Sequence, residues 1–393
     1  MNHTHAPFLR DEKNPLRTIA AGVAAIIAIF AYFTLFAGFA FVDFAQLTLG
    51  RGHAQAPLIA LMAGGLISTV AAVRFFSPSQ GRWLLAGGFA GCLLGALITT
   101  SATSSFTLSL VGLLIGLSTG WTTMILVLCL RPTLHLRRLG MWCGLGVGLA
   151  YALCNQPFIF EATLEQKMMT AAILGAFGMM ASFGLRGGPI RASSLPDYEF
   201  RAASGWIVAL FVLVFLDTLV FFIIQNSVTL KKLSWDTPLI LQGNAFVHLC
   251  AAFLTGLALD RRWSGSAALF ALLLLLTSCL VLGMQLEHFP KARMLYITAV
   301  SIYSTVLIFM PARSGRPQFA ALVFAISGWF ASGLALSIAV AQDVRRISPY
   351  VVALAFIVGI AALAVRMLWL QRVHEVEAER LINRSQPGDE AVS

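Results

Sequence analysis

Charge is what this sequence has least of. Of its 393 residues, 27 are Lys or Arg and 17 are Asp or Glu, 11% in all, where a soluble domain carries ~25%. With 58% hydrophobic residues and a mean hydropathy of +0.83, that scarcity excludes both a soluble globular enzyme and a disordered chain. Cysteine is also sparse. Cys92, Cys129, Cys143, Cys154, Cys250 and Cys279 include no Cys-x-x-Cys pair, so neither a structural zinc site nor a dithiol redox motif is supported. They read as small packing residues. No Walker-type phosphate loop and no HExxH occur, which excludes an ATP-driven pump and a zincin. No catalytic residues, no metal site and no cofactor are expected.

What is there is apolar sequence in long runs. Twelve spans are expected: Thr18–Ala45, Pro57–Phe76, Trp83–Thr100, Phe106–Leu130, Leu139–Pro157 and Met168–Leu185, then Gly205–Gln225, Thr237–Leu259, Ser266–Gln285, Met294–Met310, Phe319–Ala341 and Pro349–Leu370. Each is at or beyond the ~17–25 residues that cross a bilayer as a helix. The net charge of +10 lies between these runs, where lipid orientation explains it without a nucleic-acid partner. Alternate loops hold 19 and 8 Lys or Arg, which predicts a multi-pass protein of the cell inner membrane with both termini cytoplasmic. The polar first 17 residues and the long run after them predict a retained first helix rather than a cleaved signal peptide.

The longest internal polar stretch, Arg186–Ala203, has two prolines and both charge signs. It predicts a linker between two halves: a bundle over 1–185, a cytoplasmic linker over 186–203, a second bundle over 204–371 and a tail over 372–393. Glycines recur every fourth residue at Gly87, Gly91 and Gly95, at Gly112, Gly116 and Gly120, and at Gly140, Gly144 and Gly148. Each set gives one smooth helix face for close packing.

After the eighth span runs Gly256-Leu257-Ala258-Leu259-Asp260-Arg261-Arg262-Trp263-Ser264-Gly265. It resembles the cytoplasmic loop signature of the major facilitator superfamily. A partial first copy stands at Arg74–Trp83, where Gly81-Arg82 remains and the aspartate is absent. The resemblance implies an all-α polytopic membrane protein of twelve transmembrane helices in two six-helix bundles, with a substrate site between them near the midplane. It implies a secondary transporter working by alternating access, with Gly256, Asp260 and Arg261 as a gating loop.

Charges inside spans are expensive, so each one present is a candidate site. Asp217 stands alone in Phe211–Phe222 near mid-span and is the leading proton- or substrate-binding residue. His248 shares a helix face with Asn244, and a direct or water-bridged Asp217–His248 pair is predicted. Gln225, Tyr303, Trp121 and Asp43 complete the candidate substrate set. So few buried charges suit a small neutral, amphipathic or singly charged solute, or a metal cation. The partners expected are that solute and the lipid bilayer, with the chain a monomer. The alternative is a protein handling metal or haem, for import or respiratory-complex assembly, through His248, Met168, Met169, Met179, Met180 and the cysteines. A sensor or scaffold without flux is a third reading. His3 and His5 make only a weak metal pair.

Overall fold

A computed structural model describes residues 15–50, 53–134, 136–185, 203–284, 289–341 and 348–385, and every regular element among them is helical. The first half holds α1 (Pro15–Leu49), α2 (Gln55–Phe75), α3 (Gly81–Ile98), α4 (Ser105–Thr133), α5 (Leu139–Cys154) and α6 (Leu164–Ser182). The second holds α7 (Ala203–Asn226), α8 (Pro238–Asp260), α9 (Ser264–Met284), α10 (Phe289–Ser314), α11 (Pro317–Val340) and α12 (Pro349–Ser385). Among the described residues, ten helices are long and apolar enough to cross a membrane. The other two, α5 and α6, sit at the fifth and sixth expected spans. At 16 residues α5 is short, and α6 opens on Glu165, Gln166 and Lys167.

Local chemistry sets the helix starts. Ser104 and Thr107 form a reciprocal capping box ahead of α4, and Thr163 and Gln166 do the same ahead of α6. Thr237 caps α8 through the Ile240 N–H. Two helices depart from plain α geometry: α1 is π-helical over Phe33–Ala40 and α11 over Val323–Phe330. Hydropathy alone could not anticipate this. The last helix also continues past its expected end at Leu370, for 37 residues in all.

The helices form two six-helix bundles. In the first, α4 packs on α2 and α3, while α6 packs on α3 and α1; in the second, α7 packs on α11 and α12, and α10 on α8 and α9. The bundles meet chiefly through α5 on α8 and α2 on α11. Large apolar side chains such as Ile67, Phe106, Ile173, Leu254 and Leu354 face outward, as lipid requires. The expected linker falls mostly on residues 186–202, outside the described residues.

The glycine rows explain how closely the helices approach. Cβ atoms added at Gly112, Gly116 and Gly120 would strike the α2 carbonyls of Pro57, Leu61 and Gly65. The row Gly140, Gly144 and Gly148 faces Gly256, Ala252 and Leu249 of α8, so it joins the two bundles. In α3 the expected row is corrected. Gly87 faces open space, and Gly88 takes its place against Thr122.

Candidate functional site

A cavity of about 230 Å³ lies between the bundles. Residues of α1, α2 and α5 line it from one side and residues of α7, α8, α10 and α11 from the other. Both π-helical segments border it, and Phe33 of one touches Trp329 of the other edge-to-face at 5.8 Å. Such segments break the regular helical repeat, and they are frequent at functional sites.

The cavity's carboxylate is Asp217. Tyr296 donates to its Oδ1 at 2.6 Å, and Tyr303 donates to its Oδ2. The two tyrosines are seven residues apart on α10, hence on one face. They satisfy both carboxylate oxygens without a cation.

His248 has different partners. Its Nδ1 lies 2.7 Å from Ser301 Oγ, and its ring stacks on Tyr151 of α5 at 4.6 Å. The Ser301 hydroxyl donates to Ile297 O at 3.0 Å. With that single proton committed, the pattern assigns the Nδ1 proton to the imidazole. Tyr151 Oη lies 2.9 Å from Ser304 Oγ. The direct Asp217–His248 hydrogen bond expected from sequence is not formed. Both side chains line the cavity, but the tyrosines of α10 occupy the carboxylate.

The remaining candidates separate. Gln225 lines the cavity and donates to Asp43 Oδ1 at 2.9 Å, joining α7 to α1. Asn244 is fully buried on α8 and is absent from the lining. Its Nδ2 donates to Ser234 O at 3.0 Å, tying down the short helix Val228–Trp235. Trp121 is corrected. Its Nε1 donates to Leu84 O of α3 at 3.0 Å, within the first bundle and away from the cavity. Residues missed from sequence include Tyr296, Tyr151, Lys167 and Arg293, all of which line the cavity. Tyr296 could have been found by its seven-residue spacing from Tyr303. The two cations were read only as span-end charges.

The ends of the cavity differ. On the arginine-rich face, Asp260 at the end of α8 accepts from the N–H groups of Gly140 (2.7 Å) and Met141 (2.9 Å) at the start of α5. Those N–H groups have no intrahelical acceptor, so a carboxylate suits them. Gly256 permits the approach by meeting Gly140 backbone to backbone. Arg131 of α4 donates to Ser314 O of α10 at 3.4 Å, and Arg261 is exposed. On the opposite face, Phe39, Phe160, Phe221 and Trp235 form a cluster with ring centroids 4.6–6.1 Å apart.

No protein-family model matches the sequence, and no curated protein matches it. Solved structures do. The human organic anion transporter MFSD10 (TETRAN) superposes with a TM-score of 0.64 at 13% identity, over 89% of this chain and 99% of that one. The proton:xylose symporter XylE, solved with 6-bromo-6-deoxy-D-glucose, superposes with a TM-score of 0.64 at 11% identity, over 89% and 94%. The chain has the major facilitator fold.

Proposed function

We propose that this protein is a secondary transporter that moves a small solute by alternating access, with Asp217 as its proton-binding group. The observation that carries the reading is the cavity itself. It lies between two bundles, is bordered by π-helical segments from each, and holds a carboxylate whose partners are two neutral hydroxyls rather than a cation. A carboxylate held this way can exist charged or protonated without leaving a buried cation unpaired. MFSD10 carries organic anions and XylE couples xylose to protons, so the fold does not choose the solute.

The halves would rock about the α5–α8 and α2–α11 seams. The Asp260 contact would close one face, and Asp43–Gln225 with the aromatic cluster would close the other. In this reading the arginine-rich face is cytoplasmic, the membrane is the inner one, the linker divides the chain near 186–203, and the unit is a monomer. Metal or haem handling finds less support. Met169 and Met180 face outward, and among the described residues no three His, Cys, Asp or Glu converge as ligands.

The test is solute-dependent proton entry into proteoliposomes carrying a trapped pH dye. Wild-type protein should acidify the lumen when the driven solute is added, and Asp217→Asn should abolish that acidification. Acidification that persists in Asp217→Asn would remove the coupling role.

A further inference from the structure

The cavity holds two cations that its internal chemistry does not use. Lys167, at the start of α6, lines it from the first bundle, and Arg293, near the start of α10, lines it from the second. Both are half-buried, and neither has a carboxylate within ion-pair distance among the described residues. Arg293 spends one donor on Leu233 O at 2.9 Å, while its Nε is buried with no hydrogen-bond partner among the described residues. Lys167 places its Nζ over the Phe160 ring at 5.5 Å. The nearby acid, Asp43, is bonded to Gln225, and Lys231 stands close to both Asp43 and Lys167.

Many of the other polar groups of the cavity already have partners, although the Ser234 Oγ in its lining has none among the described residues. Asp217 has Tyr296 and Tyr303, His248 has Ser301, Tyr151 has Ser304, and Thr218 has Ser332. A hydroxyl-rich solute would find the Asp217 carboxylate already taken by two tyrosines. What remains open is positive charge at one end, set against the rings of Phe39, Phe160, Phe221 and Trp235. Partly buried cations without a direct ion-pair partner are costly, and an anion arriving between them relieves that cost.

We infer that the transported solute is a small amphipathic organic monoanion, a carboxylate or sulfonate, with its head between Lys167 and Arg293 and its apolar body among those four rings. This rests on the transporter reading for the word "transported", but the binding site stands on the cations and rings alone. One charge suffices, because Asp217 lines the same cavity and would repel a second. Lys167 and Arg293 belong to different bundles, so an anion bridging them would draw the halves together on that face.

The test uses the full chain in nanodiscs and follows thermal unfolding. The probes are phenylacetate, hexanoate and p-toluenesulfonate, each paired with its neutral amide, with xylose as a hydroxyl-rich control. A ligand of the folded state raises the midpoint in a concentration-dependent way. At least one anion should stabilise and its amide should not. Arg293→Gln and Lys167→Gln should each weaken the apparent affinity by roughly 30-fold or more, and Arg293→Lys should recover part of it. If the glutamine variants do not fold, the anion–amide comparison in wild-type protein still decides. The inference is overturned if no anion stabilises more than its amide, if xylose stabilises in their place, or if both glutamine variants bind anion unchanged. Uptake of p-toluenesulfonate into proteoliposomes separates the two claims, because this anion stays ionised and does not cross lipid as a free acid. Anion binding without gradient-driven uptake would sink the transporter reading and leave the site. Gradient-driven uptake of xylose or an amide, without anion binding, would do the reverse.

Discussion

Asp260 accepts the backbone N–H of Gly140 at 2.7 Å across the seam between the two bundles. A side chain at the end of α8 therefore caps the amino terminus of α5, and its second oxygen takes Met141 at 2.9 Å. Arg313 and Arg138 are close enough to add favourable charge. Hydrogen bonds to a charged group are worth about 1.5–3 kcal/mol each. Asp260→Ala should therefore loosen this face. Cys143, buried on α5 one turn from Gly140, is a built-in reporter. Its alkylation, read by peptide mass spectrometry, should speed up by about tenfold or more. An unchanged rate would show that the contact does not hold the face shut.

The seam also sets a steric prediction. Gly144→Ala would place its Cβ against the Ala252 carbonyl, whereas Gly87→Ala would enter open space. The first should cost about 1–3 kcal/mol through overpacking. The second should be neutral or stabilising by up to ~1 kcal/mol, since alanine favours the helix. The melting temperature of Gly144→Ala should fall, and that of Gly87→Ala should hold or rise. A fall in both of similar size would contradict the packing described.

The spans were legible because a bilayer imposes one length and one composition on them. The glycine rows were legible as smooth faces, but their partners were not. Nothing in Gly140, Gly144 and Gly148 names α8 as the helix they meet. Asp217 stood out as an isolated charge, yet its partners are fixed by how α10 lies against α7. Tertiary placement of this kind leaves no trace in local sequence, which is why the Ser301 contact of His248 and the tyrosine contacts of Asp217 were not foreseen. Lys167 and Arg293 were hidden for another reason. Charges near span ends are expected everywhere in a membrane protein, so two that turn into a cavity look like the rest. Trp121 shows the converse, a polar-tipped ring beside two threonines whose N–H is spent on a neighbouring helix.

The Asp217 clasp should behave as a unit. Tyr303→Phe and Tyr296→Phe each remove one hydroxyl donor from the carboxylate and should each cost about 1–3 kcal/mol of stability. In an Asp217→Asn background the same changes should cost clearly less, because the charged acceptor has gone. The difference is the coupling energy of a double-mutant cycle, measured by denaturation. Equal costs in both backgrounds would mean the tyrosines serve packing alone.

Trp121→Phe provides a control on the placement of the site. It removes the bond to Leu84 O and leaves the cavity lining untouched. Solute binding should be unchanged within error while the melting temperature falls slightly, as expected for a loss of about 0.5–1.5 kcal/mol. A several-fold change in binding would return Trp121 to the site.

The proposed alternating access would make the two faces reciprocal, and the chain carries a reporter for each. Gln225 of α7 donates to Asp43 of α1 at 2.9 Å, bridging the bundles on the face opposite Asp260. Cys154 lines the cavity. Gln225→Ala removes that bridge and should raise Cys154 alkylation by a reagent applied from the lysine-bearing side. Asp260→Ala acts on the other face. If one equilibrium links the faces, weakening closure there populates the state open to the arginine-rich side, which is closed to the lysine-bearing side. Asp260→Ala should then slow Cys154 alkylation from the lysine-bearing side while it speeds Cys143 alkylation. A contact worth ~1.4 kcal/mol shifts such an equilibrium tenfold. Two faces that loosened independently would leave the Cys154 rate unmoved in Asp260→Ala, and the halves would then not be rocking as rigid bodies.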